Sequence, residues 1–206
     1  MKFWGSEEAL TLGVWFIYFQ QIDGFEPKRV WYSGIIVAGG MIFSCFSVSL
    51  YDAFAFGLHP NNTYQKDLLY YVLVVGLTEE SLKVLPVLLV LWLNRAIDRP
   101  VDYIISGSVS ALGFAFMENL LPGAEWRPGT ISTRALGAVI LHITETSLIM
   151  YDLSYSWYIA KKKPLQYFLL AFGAACVLHG FADFSAAKGW GVPFFLITIY
   201  CIRQYE

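Results

Sequence analysis

The sequence predicts an all-α fold, a polytopic transmembrane bundle of about seven helices, and three observations predict it. Hydrophobic residues make up 57% of the 206-residue chain, where soluble domains hold about 45–50%. Charged residues make up only 15%, against a usual ~25%. The apolar residues gather into seven runs separated by turn signals, and several runs approach the roughly 20 residues that cross a hydrocarbon core. Residues 1–206 read as one integral-membrane domain. The net charge of −2 offers no basic face for nucleic acid, so the expected surroundings are the lipid bilayer and membrane partners.

Taken in order, residues 9–22 form a short first run, closed by Asp23-Gly24 and Pro27-Lys28-Arg29. It lacks a cleavage site and reads as a retained helix. Residues 30–58 end at His59-Pro60-Asn61-Asn62, a strong breaker. Residues 68–94 lie between Asp67 and Arg95. The fourth run, 101–121, starts after Arg99-Pro100 and stops at Pro122-Gly123. Residues 135–160 are closed by three lysines and Pro164, residues 165–187 by Lys188-Gly189, and residues 191–202 form a short last run. Trp92, Trp126, Trp157 and Trp190 sit near run ends, as an interfacial aromatic belt requires. Gly39-Gly40, Gly107 with Ala111 and Gly173 with Val177 supply small residues for close helix approach.

Basic residues orient the bundle. Lys28, Arg29, Arg95, Arg99, Lys161, Lys162, Lys163 and Arg203 fall on one side, while Lys2, Lys66, Arg127, Arg134 and Lys188 fall on the other. The excess predicts a cytoplasmic C-terminus and an outside N-terminus. Cys45, Cys176 and Cys201 show no pairing pattern, and Cys45 and Cys201 are expected to pack as small apolar residues.

The third run carries Glu79, Glu80 and Lys83 at its middle. On insertion scales each ionised group at that depth costs roughly 2.5–3.5 kcal/mol, so the default reading is a functional site. Glu79 and Lys83, four residues apart, share a helix face, and Glu80 is three residues from Lys83, so either acid can pair with it. A self-neutralised pair would leave one acid over. Glu118 lies near the end of the fourth run. His142 has Glu145 three residues on and Thr146 four on, on one side of a helix. His179 and Asp183 are an i, i+4 pair in which the acid fixes the imidazole tautomer. Asp52, Asp102 and Asp152 lie closer to helix ends and read as interfacial.

Four helices thus carry acids or histidines within apolar spans, which points to one polar cavity. Hydrolysis fits that inventory. Glu79 or Glu80 is the candidate base for water, with the other acid and Glu118 shaping the water site. His142 and His179 stabilise an oxyanion or protonate a leaving nitrogen, Asp183 orients His179, and Lys83 keeps the acids ionised. No cofactor is required by this scheme. A zinc-dependent version would use Glu118, His142 and His179, three ligands leaving an open position for water. Intramembrane acids and histidines also build proton relays, so a transport protein is the alternative of another class.

Several of these residues form patterns that resemble the PrsW family of intramembrane proteases. Glu79-Glu80-Ser81-Leu82-Lys83 resembles its E-E-x-x-K motif, and Phe114 to Asn119 contains F-x-x-x-E-N. His142 matches a histidine of a later helix, and His179 to Asp183 matches H-x-x-x-D. The charged segment from Asp23 to Arg29 resembles the loop after the family's first helix. The resemblance implies kinship with the type II CAAX prenyl proteases, with Glu118 standing where those enzymes have histidine. Asn119, within that F-x-x-x-E-N motif, and Glu145, one turn from His142, are expected to support the site. The implied activity is site-1 cleavage of a membrane-anchored, anti-sigma-factor-like substrate in a bacterial plasma membrane.

Overall fold

The computed structural model describes residues 4–22, 24, 27–94, 97, 99–121, 137–161 and 164–190. The expected seventh run, 191–202, with Cys201 and Arg203, lies outside them, as do Trp126, Arg127 and Arg134. Among the described residues the architecture is entirely helical. Helix α1 spans Trp4–Ile22, α2 Pro27–Ser44 and α3 Ser47–Phe54. Helix α4, Tyr64–Tyr70, runs through a π-helical turn, Tyr71–Gly76, into α5, Leu77–Asn94. Helix α6 spans Pro100–Leu120, α7 Val139–Tyr155 with a π-helical extension Ser156–Ala160, and α8 Pro164–Ala187.

These six helical stretches correspond to the first six apolar runs. Pro100–Leu120 and Leu165–Ala187 are long and apolar enough to cross a membrane, and α2 with α3 makes a third if that pair, bent by 49°, is one span. Glu79, Glu80 and Lys83 lower the apolar character of the third run, which is why its length alone does not qualify it. The bend follows Ser44, where the Ser47 hydroxyl donates to the Ser44 carbonyl at 2.9 Å. Helix α6 starts where Arg99 is extended and Pro100 presets the first helical φ. Asp102 accepts from the Arg99 backbone N–H at 2.9 Å and from its guanidinium at 2.7 Å, the helix-end role its position suggested.

Helix α6 is the hub. In its apolar window 72% is buried, against 33% in α8, which leaves much of α8 for lipid. Hydrophobic burial contributes little between helices in lipid, so close backbone approach matters more. A Cβ on Gly40 would collide with the Ser110 carbonyl, and one on Gly113 with the Val37 carbonyl, so α2 and α6 lie antiparallel in near backbone contact. Gly107 faces Thr146 and Met150 of α7. Gly76 and Gly180 join the π-helical turn to α8, facing the Cys176 and Tyr71 carbonyls. The expected role of Gly173 is not met: nothing lies within 4 Å of its Cβ position, because it turns to an open face of α8. Cys45 is another correction, since it sits exposed at the α2–α3 bend and not in a packed interior. Trp92, Trp157 and Trp190 are all exposed near helix ends, as a belt at the interface requires.

Candidate active site

Helices α5, α6, α7 and α8 bring the intramembrane acids and histidines together around Lys83. The π-helical turn sits directly before Glu79. With one residue more per hydrogen-bonded loop than an α-helix, it changes the rotation of everything after it. The same continuous helix therefore lays Tyr71 and Gly76 against α8 and still delivers Glu79, Glu80 and Lys83 to the bundle interior. Ser110 of α6 donates to the Lys83 carbonyl at 2.5 Å and fixes the depth of α5 against the hub.

Lys83 is 0% exposed and its ammonium is the centre of the cluster. It donates to Glu80 Oε1 at 2.7 Å and lies 3.5 Å from Glu79 Oε2. The sequence left both pairings open, and the closer partner is Glu80. The ammonium is also 2.6 Å from His142 Nδ1 and 3.2 Å from His179 Nδ1. An ammonium has only donors, so His142 Nδ1 accepts from it. Neutral His142 then carries its proton on Nε2, which faces Glu118 Oε2 at 3.0 Å. The Phe114 ring lies under the ammonium at 5.1 Å, and its quadrupole favours the charge.

His179 divides the cluster into two sides. Its Nδ1 is 2.9 Å from Glu145 Oε2 and 3.2 Å from Glu80 Oε1. Thr146 donates to the other Glu80 oxygen at 3.1 Å, so Glu80 is engaged through both. On the second side, His179 Nε2 is 3.1 Å from Glu79 Oε2 and 3.4 Å from Asp183 Oδ2. Although these two atoms are close, neither Glu79 Oε2 nor His179 Nε2 has a hydrogen-bond partner among the described residues. The two buried atoms face each other in proximity without hydrogen-bond alignment.

The expected orienting acid, Asp183, is therefore the looser partner of His179, and its side chain is 41% exposed. Glu145, expected only to support the site, is the buried acid that grips the ring. Asn119 donates to Glu8 of α1 at 3.2 Å. Sequence reasoning missed Tyr51 altogether. Its hydroxyl, carried by α3, donates to Glu79 Oε1 at 2.5 Å. A tyrosine near the end of an apolar run looks interfacial, and only the α2–α3 bend turns it inward.

Two groups of side chains have the geometry of a cation site: Glu79, His142 and His179, and Glu80, Glu145 and His179. The Lys83 ammonium donates to Glu80 of the second group and also lies within 3.5 Å of all three members of the first. The first contains Glu79 Oε2 and His179 Nε2, and it has Glu79 where the sequence expectation had Glu118. The charge balance also bears on it. Glu79, Glu80 and Glu145 are each under 5% exposed, and Lys83 is the one ammonium among them. With all three acids ionised and both histidines neutral, two negative charges would remain, the number that one divalent cation balances.

The chain matches the model of the PrsW family intramembrane metalloproteases over residues 26–203. It belongs to that family. As a PrsW-family protein it is an integral membrane peptidase, and its substrate is a protein held in the same membrane. No curated protein and no solved structure matches it. The matched span starts just before α2 and contains Glu79, Glu80, Lys83, Glu118, His142 and His179. Helix α1, with Glu8, precedes it.

Proposed function

We propose that this PrsW-family protein is an endopeptidase that hydrolyses a peptide bond of a membrane-anchored substrate at the Glu79–His179 face of the cluster. The observation that carries the reading is the pair of buried atoms, Glu79 Oε2 and His179 Nε2, that face each other without hydrogen-bond partners while Glu80 is engaged through both oxygens. Glu79 is the base. Its Oε2 accepts the proton of the attacking water, because Glu80 is held by Lys83 and Thr146. His179 stands next to Glu79 to stabilise the oxyanion or pass a proton to the leaving nitrogen. Glu80 and Glu145 hold its other ring nitrogen. His142 and Glu118 border the same space, and Lys83 keeps the buried acids ionised. Asp183 marks the more exposed side. By resemblance, the substrate is of the anti-sigma-factor kind and the membrane a bacterial plasma membrane.

Purified protein in proteoliposomes with a single-pass substrate should release two fragments whose new ends, read by mass spectrometry, lie at one peptide bond. Replacing Glu79 or Glu80 singly by Gln should reduce that cleavage. Full activity in Glu79→Gln would sink the assignment.

The grouping of Glu79, His142 and His179 supports a second, metal-dependent reading. Glu79, His142 and His179 would hold a divalent ion such as zinc, His142 through Nε2 because Nδ1 faces Lys83. When bound, the ion would supply Lewis-acid polarisation of the scissile carbonyl. Glu118, beside His142, would then be the proton acceptor. In this reading the purified protein carries about one zinc per chain, Glu79→Gln loses it, and chelation stops cleavage. Full cleavage by metal-free protein contradicts it.

A further inference from the structure

We propose that Tyr51 is a positioning residue: its hydroxyl locks the rotation of the Glu79 carboxylate and so decides which oxygen faces His179. The inference rests on the peptidase reading and deepens it.

The terminal torsion of a glutamate is broad and nearly two-fold, so an unrestrained carboxylate presents either oxygen. At Glu79 the oxygens are not equivalent. Oε1 accepts from Tyr51 at 2.5 Å, while Oε2 lies 3.1 Å from His179 Nε2 and 3.5 Å from Lys83. A donor on Oε1 alone breaks the two-fold equivalence and leaves Oε2 for the reaction. Groups that orient a reactive carboxylate or ligand from behind commonly change activity by about 10–100-fold.

A merely structural role suits Tyr51 less well. Of the eight residues of α3, Ser47 alone is buried, and Val48 and Phe54 are well exposed. Leu50 and Tyr51 itself are half-buried, so the inward face of α3 is narrow and ends in the Tyr51 hydroxyl. Among the described residues of α3, Tyr51 hydrogen-bonds to the cluster, from a helix bent by 49° away from α2. The bend has a consequence in this light: it carries a phenol to a carboxylate 28 residues further on.

The test uses full-length protein in proteoliposomes with a single-pass substrate, comparing wild type, Tyr51→Phe, Glu79→Gln, Glu79→Asp and the Tyr51→Phe/Glu79→Asp double variant. Tyr51→Phe should lower kcat by about 10–100-fold, with KM and Tm held near wild type. In the Glu79→Asp background the shortened carboxylate withdraws from the hydroxyl, so adding Tyr51→Phe should change kcat by less than about threefold. Wild-type kcat in Tyr51→Phe, or a joint fall of kcat, affinity and Tm, would overturn the positioning role while Glu79→Gln still reports on the peptidase reading. Equal additional losses in both backgrounds would also overturn it. If Glu79→Gln cleaves as wild type does, the peptidase assignment of Glu79 fails, and the inference with it.

Discussion

Replacing Lys83 by Met should destabilise the protein more than any single change among its neighbours. The ammonium is 0% exposed and meets Glu80, Glu79, His142 and His179 within 3.5 Å. Methionine fills a similar volume, so the loss is one of charge and hydrogen bonding and not of packing. Removing one partner of a buried ion pair leaves an uncompensated charge and costs roughly 3–5 kcal/mol. Here three buried carboxylates, Glu79, Glu80 and Glu145, would share the deficit. For a chain of this size, about 2–4 °C per kcal/mol converts that loss to a fall in Tm of about 6–20 °C. Thermal unfolding of purified protein in detergent reads it. Adding Glu80→Gln should recover more than half of the loss, since Gln removes the charge that Lys83 opposes most closely. A Tm for Lys83→Met within about 2 °C of wild type would refute the reasoning.

Other outcomes follow from the same geometry. Gly180→Ala should lower Tm, because its Cβ would collide with Tyr71 and Val72 and overpacking costs about 1–3 kcal/mol. Gly173→Ala, with open space at its Cβ, should be neutral or raise Tm by up to the ~1 kcal/mol of helix propensity. Thr146→Val should weaken the hold on Glu80 and lower stability by about 1.5–3 kcal/mol, the usual worth of a hydrogen bond to a charged group. Before the third apolar run, the Lys188 ammonium at 2.7 Å and the Asn61 N–H hold the Asp67 carboxyl below its ordinary 3.8. The stability from that pair is present above the ordinary value and is lost as pH falls through the lower, folded value. Asp67→Asn should therefore lower Tm at neutral pH and flatten its decline below about pH 4.

Features that depend on neighbours along one helix were legible in the sequence. Glu79, Glu80 and Lys83 fall three and four residues apart, and that spacing alone predicts a shared buried face. The six described helical stretches follow breakers such as Asn61-Asn62 and Arg99-Pro100. What depends on the rotation of one helix against another was not legible. The i+4 spacing favoured Asp183 as the partner of His179, but α7 brings Glu145 closer and more deeply buried. The small-residue pattern drew attention to Gly173, yet a motif cannot tell which face meets a neighbour, and Gly180 makes the close approach. Glu79, not Glu118, completes the cation-like group with His142 and His179, because the π-helical turn sets the rotation of α5 and no residue pattern announced that turn. Tyr51 reaches Glu79 only through the bend after Ser44.

The most direct test of the central claim is the turnover of Glu79→Gln against that of Glu80→Gln, with a single-pass substrate in proteoliposomes and Tm measured alongside. If Glu79 takes the proton from water, Glu79→Gln should lose about 10²–10⁴-fold in kcat, the range of general-base catalysis, while its Tm stays near wild type. Glu80→Gln, which loosens Lys83 and Thr146, should show the larger fall in Tm and the smaller fall in kcat. A Glu79→Gln protein that folds and turns over at the wild-type rate would contradict the account.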